Sequence, residues 1–145
     1  RDNARTPMQW TKFGFSDNAS DAKKTWLVTN PNTTTHNYQE SRENPDAILN
    51  YYRRLIHLRR HDDTLKSGDF QLITMTNTKI LVFTRHTTDS QRLIIINLSD
   101  TAQTISLPKQ LLKKDWQPLL ATINPIPEIS PTLHLQPFQS IIWYH

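Results

Sequence analysis

"NPDAILNYYRRLIHLRR", Asn44 to Arg60, is the stretch with the clearest helical period in the chain. Ile48, Tyr52, Leu55 and Ile56 recur at spacings of three and four and share one stripe, widened by Tyr51 and Leu58, while Arg53, Arg54 and Arg60 lie towards its edges. Asn44 stands where an N-cap belongs. Pro45 suits the first helical position, where its missing N–H would have no partner anyway, and Asp46 answers the positive end of the dipole. Arg59 and Arg60 answer the negative end. The reading is a helix over residues 45–60. A lone amphipathic helix with an aromatic face requires a layer to pack on.

Downstream of this helix the period changes. From Gly68 onward, "GDFQLIT" (68–74), "KILVFTR" (79–85), "RLIIINL" (92–98), "TISLP" (104–108), "DWQPLLA" (115–121), "TLHLQ" (132–136) and "SIIWYH" (140–145) are short β-rich runs. They are separated by "MTNT", "HTTDSQ", "SDTAQ" and "INPIPEISP", which carry turn residues. Short strands with turns and no helix between them predict an all-β antiparallel sandwich. "LIIIN" (93–97) is apolar on successive residues and should be a central strand buried on both faces.

Upstream, residues 1–43 show no sustained apolar period and are rich in Asn, Thr, Ser and Asp, which bond to nearby backbone in preference to helix or sheet. They predict a long loop with short helical turns. A loop of that length is expected only if it is functional or wraps something larger. It also begins without methionine, so the chain is expected to be a piece whose helix packs on elements encoded upstream.

Composition narrows the chemistry. The 145 residues include no cysteine, which excludes disulfides, zinc–thiolate sites and thiol nucleophiles and fits a reducing cytoplasm. No apolar run is long enough to span a membrane, and no secretory h-region precedes the loop. The net charge of +4 comes from scattered basic residues, so nucleic acid is not the expected partner. His57 and His61 lie four apart without a third ligand and are read as surface or capping residues, so no metal is expected. "HDD" (61–63) is read as turn residues past the helix end, and Tyr51 and Tyr52 as members of the helix stripe in preference to a base-stacking platform. In the sandwich Asp100, Asp115 and Glu128 form no spacing with a nucleophile. A free-standing carbohydrate-binding sandwich, with Trp10, Trp26, Trp116 or Trp143 as platforms, is the rival reading.

"RDNARTPMQW" (1–10) places two arginines four apart with an aspartate between them. A guanidinium is always charged and offers a planar fork of donors, so it can hold a carboxylate and reach a hydroxyl as well. The same residues could form a salt-bridge web that only fixes the loop, and spacing alone leaves both readings open.

That segment, followed by "NPDAILNYYRRLIHLRR" and "GDF", closely resembles the C-terminal third of the exo-acting α-glucosidases of glycoside hydrolase family 13. The group includes oligo-1,6-glucosidase, dextran glucosidase and trehalose-6-phosphate hydrolase. Phe15, Trp26 and "NPN" (30–32) follow the family's order, as does the closing "LQPFQSIIWY". Thr11 stands where the family usually has an acidic residue. The resemblance implies a mixed fold, with the end of a (β/α)8 barrel at 1–62, its eighth helix at 45–60, and a C-terminal sandwich at 63–145. It implies retaining hydrolysis of terminal α-glucosidic bonds in oligosaccharides or disaccharides by a carboxylate nucleophile and a second carboxylic acid, with no cofactor. Both carboxylates would lie upstream of residue 1. The catalytic residues are thus expected outside this chain, which alone should be inactive. Arg5 is implied as a contact to the terminal glucose, and Asp2 and Arg1 as supports of its loop.

Overall fold

In the computed structural model, residues 2–17 and 25–145 are described. The chain divides into two compact units, Arg1–Ile56 and His57–His145.

In the first unit the expected loop carries short helical turns at Asp2–Arg5 and Pro31–Thr34 and a helix α1 at Tyr38–Glu43. Gly14, at φ +101°, makes the tight return in this loop, its carbonyl accepting from the N–H groups of Trp10 (2.8 Å) and Thr11 (3.1 Å). A Cβ there would meet Thr29 Cγ2 at 3.0 Å, and the left-handed backbone itself favours glycine. Asn37 caps α1, its side chain accepting from Glu40 N at 2.9 Å.

The next helix, α2, runs Ile48–His61 and begins three residues later than Pro45. Asn44 is not its N-cap. Asn44 Oδ1 accepts from Asp46 N at 2.9 Å, an Asx turn, while its carbonyl takes Ala47 N and Asn50 Nδ2. The carbonyl that should have opened the helix is thereby occupied, and Asn44 instead closes α1, donating to Glu40 O at 3.0 Å. No residue of α2 is buried. Ile48 (77%) and Tyr52 (58%) of the stripe are exposed, so the face read as a packing stripe is not covered among the described residues.

The second unit holds the sandwich. Strands β1 (Asp69–Ile73), β2 (Ile80–His86), β3 (Gln91–Asn97), β4 (Gln103–Ser106), β5 (Gln117–Ala121), β6 (Thr132–Leu135) and β7 (Ser140–Tyr144) correspond one to one with the runs read from sequence. They form an antiparallel sheet in the order β1-β2-β3-β7-β5 and a second antiparallel pair, β4-β6. Alternation decides which side chains enter the core: Ile80 and Val82 from β2, Leu93 and Ile95 from β3, Ile141 and Trp143 from β7 face Ile105, Leu133 and Leu135 of the smaller sheet. Ile94 and Ile142, register partners on the opposite face, are also buried, so β3 is buried on both sides as its unbroken apolar run predicts. Pro118 falls on β5, a sheet edge, where a missing N–H removes no ladder bond from a neighbour.

A short helix α3 (Asp63–Ser67), unforeseen in the sequence, packs on β2 and β3. Arg85 ties it down by donating to Thr64 O (3.3 Å) and Gly68 O (2.6 Å). Gly68 is needed for close approach, since a Cβ would lie 2.5 Å from Thr64 O and 2.8 Å from His86 O.

Thr84 points into the core with its hydroxyl buried and unpartnered. An unmade buried hydrogen bond costs about 1–3 kcal/mol, and valine has the same shape without the hydroxyl. Thr84→Val is therefore expected to raise stability by about 1 kcal/mol, read as a higher urea midpoint at unchanged m-value. A lowered midpoint would show that the hydroxyl is satisfied.

Candidate functional site

Residues 2–10 fold as a turn followed by an extended segment sewn into the loop around it. Gln9 O and Trp10 O accept from Tyr38 N (2.8 Å) and Gln39 N (3.0 Å), so the segment is fixed to the first turn of α1 by main-chain bonds. Gln9 Nε2 donates to Asn32 Oδ1 at 2.8 Å and Thr33 Oγ1 to Thr11 O at 3.1 Å. The "NPN" stretch thus braces "PMQW" from the side. Trp10 meets Tyr38 edge to face at 5.4 Å, and the Tyr38 hydroxyl accepts from Arg53 Nη2 at 3.1 Å. Arg53 also donates to Asn50 Oδ1, and Asn50 Nδ2 donates to the carbonyls of Ser41, Arg42 and Asn44. The result is a polar web that sets α1 and the start of α2 without burying an apolar core.

Arg5 closes the turn Asp2–Arg5 and is exposed, with its guanidinium 5.5 Å from the centre of the Trp26 ring. Such a stack leaves the edge of the fork, where the N–H groups point, open to a ligand while holding its plane. The sequence reading missed Trp26 as this partner. Asp2 begins the same turn, and Arg1 lies outside the described residues. A cavity of about 250 Å³ lies beside the segment, lined by Met8, Gln9, His36, Tyr38 and Leu49 among others, and Arg5 is not among its walls.

The other candidates resolve into structural roles. His57 and His61 stack at 4.2 Å, and His61 Nδ1 donates to His57 O at 2.8 Å. No group of three or more metal-binding side chains occurs among the described residues. Of "HDD", Asp62 caps α3, accepting from Leu65 N at 2.9 Å, and pairs with Arg92 Nε at 2.7 Å. Trp116 (7%) and Trp143 (0%) are buried, their indole N–H groups donating to Leu111 O and Pro127 O, and so cannot serve as exposed platforms on the sandwich. Of the four tryptophans of the binding-module reading, only Trp10 and Trp26, both in the first unit, are exposed. No helix among the described residues is long and apolar enough to cross a membrane.

Two family models match, one to each part of the chain. Residues 1–68 match the alpha-amylase catalytic domain, and residues 80–142 match the C-terminal domain of the SusG alpha-amylase. The chain is 33% identical over 146 residues to a probable oligo-1,6-glucosidase 2 of Bacillus subtilis, covering 99% of this chain and 25% of that protein. It is 35% identical over 143 residues to a glucan 1,6-alpha-glucosidase of Streptococcus dysgalactiae, covering 97% and 25%. Among solved structures, a trehalose-6-phosphate hydrolase of Bacillus licheniformis superposes with a TM-score of 0.83 at 28% identity, covering 99% of this chain and 26% of that one. A trehalulose synthase of Pseudomonas mesoacidophila does so with a TM-score of 0.76 at 28% identity, covering 99% and 25%. The chain spans about a quarter of the length of the curated relatives it matches.

Proposed function

Because the chain belongs to the alpha-amylase family, glycoside hydrolase family 13, and corresponds to a C-terminal piece of its oligo-1,6-glucosidase and trehalose-6-phosphate hydrolase group, we propose that it is part of a cytoplasmic retaining α-glucosidase that releases terminal glucose. The observation that carries this reading is the near-complete coverage of the chain by relatives named as glucosidases. We assign residues 1–62 to the barrel end and 63–145 to the β-domain. The substrate is an oligosaccharide or disaccharide, α-1,6-linked or trehalose 6-phosphate.

Retaining hydrolysis takes two carboxyl groups a short distance apart, one forming the glycosyl-enzyme bond while the other protonates the leaving oxygen and then deprotonates water. The family's pair comes from barrel strands outside this chain. What residues 1–62 contribute is a rim: Arg5 pairs with a barrel carboxylate and contacts the terminal sugar, its plane steadied by Trp26, and this closes the pocket beyond one glucose. Asp2 and Arg1 support the turn that carries it. Solved structures of similar fold include the trehalulose synthase MutB, one mutant of which is in complex with the substrate sucrose, so the segment is not confined to proteins named as hydrolases.

The chain by itself is expected to release no glucose from isomaltose, trehalose 6-phosphate or p-nitrophenyl α-glucoside. The complete coding sequence should release α-glucose, its anomeric configuration followed by proton NMR. Turnover by the 145-residue chain alone would overturn the division of labour, and β-glucose as first product would overturn the mechanism.

A further inference from the structure

A second cavity, of about 530 Å³, lies wholly within the sandwich unit, where the β5–β6 connection meets the β6–β7 turn, and its size is within the range for small-molecule sites. Its apolar surface is made by Ile123 and three proline rings, Pro125, Pro127 and Pro137. The rings have no rotamer freedom to lose when a ligand packs on them. The backbone around them is tied down: Pro127 O accepts from the indole N–H of the buried Trp143 at 3.2 Å, and Asn97 N donates to Gln139 O at 2.8 Å. Gln139 N donates to Gln136 O at 3.1 Å and closes a turn with Pro137 second and Phe138 third, the latter at φ +53°, where glycine is the usual residue. Both neighbours of Phe138, Pro137 and Gln139, line the cavity.

The polar groups select the ligand. No Asp, Glu, Lys or Arg lines the cavity. An ion placed there would lose hydration without gaining a counter-charge, which disfavours anions and cations alike. What the wall offers is neutral: the carboxamides of Asn124, Gln136 and Gln139 and the imidazole of His134. Gln139 is buried (4% exposed), its Oε1 accepting from Gln136 N at 2.9 Å while its amide nitrogen has no partner among the described residues. Thr104 Oγ1 engages His134 Nδ1 at 2.9 Å, which leaves Nε2. Asn124 and Gln136 are exposed, and each carboxamide offers both a donor and an acceptor. A ligand that satisfies this set must donate and accept at closely spaced positions while laying an aliphatic surface on the prolines. Hydroxyls on adjacent carbons do the first, and the C–H face of a pyranose ring does the second.

We propose that this cavity is a non-catalytic binding site for a neutral oligosaccharide, whose rings pack on the prolines while His134, Gln136 and Gln139 bond to its hydroxyls. That the ligand is a neutral sugar rests on the cavity alone; that it is an α-glucan rests on the glucosidase reading.

The test is a titration of the isotopically labelled full chain with isomaltotriose, maltotriose, sorbitol and a capped neutral tripeptide, followed by amide NMR. Saturable shifts confined to residues 122–127 and 134–139 are expected for one or both trisaccharides, with dissociation constants in the millimolar range, and none for sorbitol or the peptide. Because no ionised group takes part, the affinity should be the same at low and high salt. His134→Ala and Gln136→Ala, both at exposed positions, should each weaken binding by about two- to tenfold, as for one neutral hydrogen bond. No saturable shift with either trisaccharide, equal binding of sorbitol or the peptide, a fall in affinity with salt, or full affinity in both variants would each overturn the proposal. None of these readouts involves hydrolysis, so a failure here leaves the glucosidase reading standing, and a complete enzyme without glucosidase activity would leave this titration unchanged.

Discussion

In an enzyme that joins this chain to its complete barrel, Arg5→Ala is expected to lower kcat/KM by about 2–4 kcal/mol, roughly 30- to 1,000-fold. On the proposed role of Arg5, the size follows from truncating one member of a charge pair that substrate binding would enclose: the partner carboxylate would lose its counter-charge, and the sugar hydroxyl a charge-assisted donor. Arg5→Lys should recover only part of the loss, because an ammonium keeps the charge but not the planar fork. Trp26→Ala should cost less than either, of order 0.5–1 kcal/mol, since the ring 5.5 Å from the guanidinium holds its plane and touches no substrate in this reading. The ordering separates contact from scaffolding. If Arg5→Ala left kcat/KM unchanged while lowering the unfolding midpoint, Arg5 would be a loop brace and nothing more.

The sandwich was fully legible in the sequence, and for a specific reason. Each strand is framed by turn residues, and alternation such as that of Ile80, Val82 and Thr84 assigns faces without knowledge of partners. The start of α2 was misread because Asn44 has two uses. A cap and an Asx turn need the same side chain, and Asn50, six residues on, decides for the turn by drawing the Asn44 carbonyl away. Helix α3 was missed because it is a single turn with one buried apolar residue, Leu65, and short helices carry no period. Arg5 drew notice through its motif alone. Its stacking on Trp26 joins residues far apart in sequence, which no local pattern encodes.

The same limit hid the contact expected to matter most for stability in the second unit. Asp62 lies 30 residues from Arg92, and only the fold brings them to 2.7 Å. The side chains are 8% and 15% exposed, so most of the solvent that would otherwise weaken the pair is excluded. Asp62 uses both oxygens: Oδ1 caps α3 at Leu65 N, and Oδ2 takes Arg92 Nε. Arg92 in turn donates to Ser90 Oγ and Gln91 O, 3.0 Å for the latter, and lies 5.8 Å from the centre of the Tyr144 ring. One carboxylate therefore fastens α3 to the outer face of β3. Asp62→Ala removes the cap and leaves a guanidinium mostly buried without its counter-charge, for an expected loss of about 3–5 kcal/mol. Asp62→Asn keeps one acceptor for the cap and should lose less. Arg92→Met leaves the carboxylate its cap and fills the space with apolar volume, so Asp62→Ala combined with Arg92→Met should be more stable than the sum of the single losses by about 1–3 kcal/mol. Urea denaturation of the four proteins measures that coupling, and repeating it at high salt should change it little, because a shielded pair escapes most screening. Additive losses, or an Asp62→Ala midpoint within error of the parent, would reduce the pair to a surface contact and leave Arg85 as the principal anchor of α3.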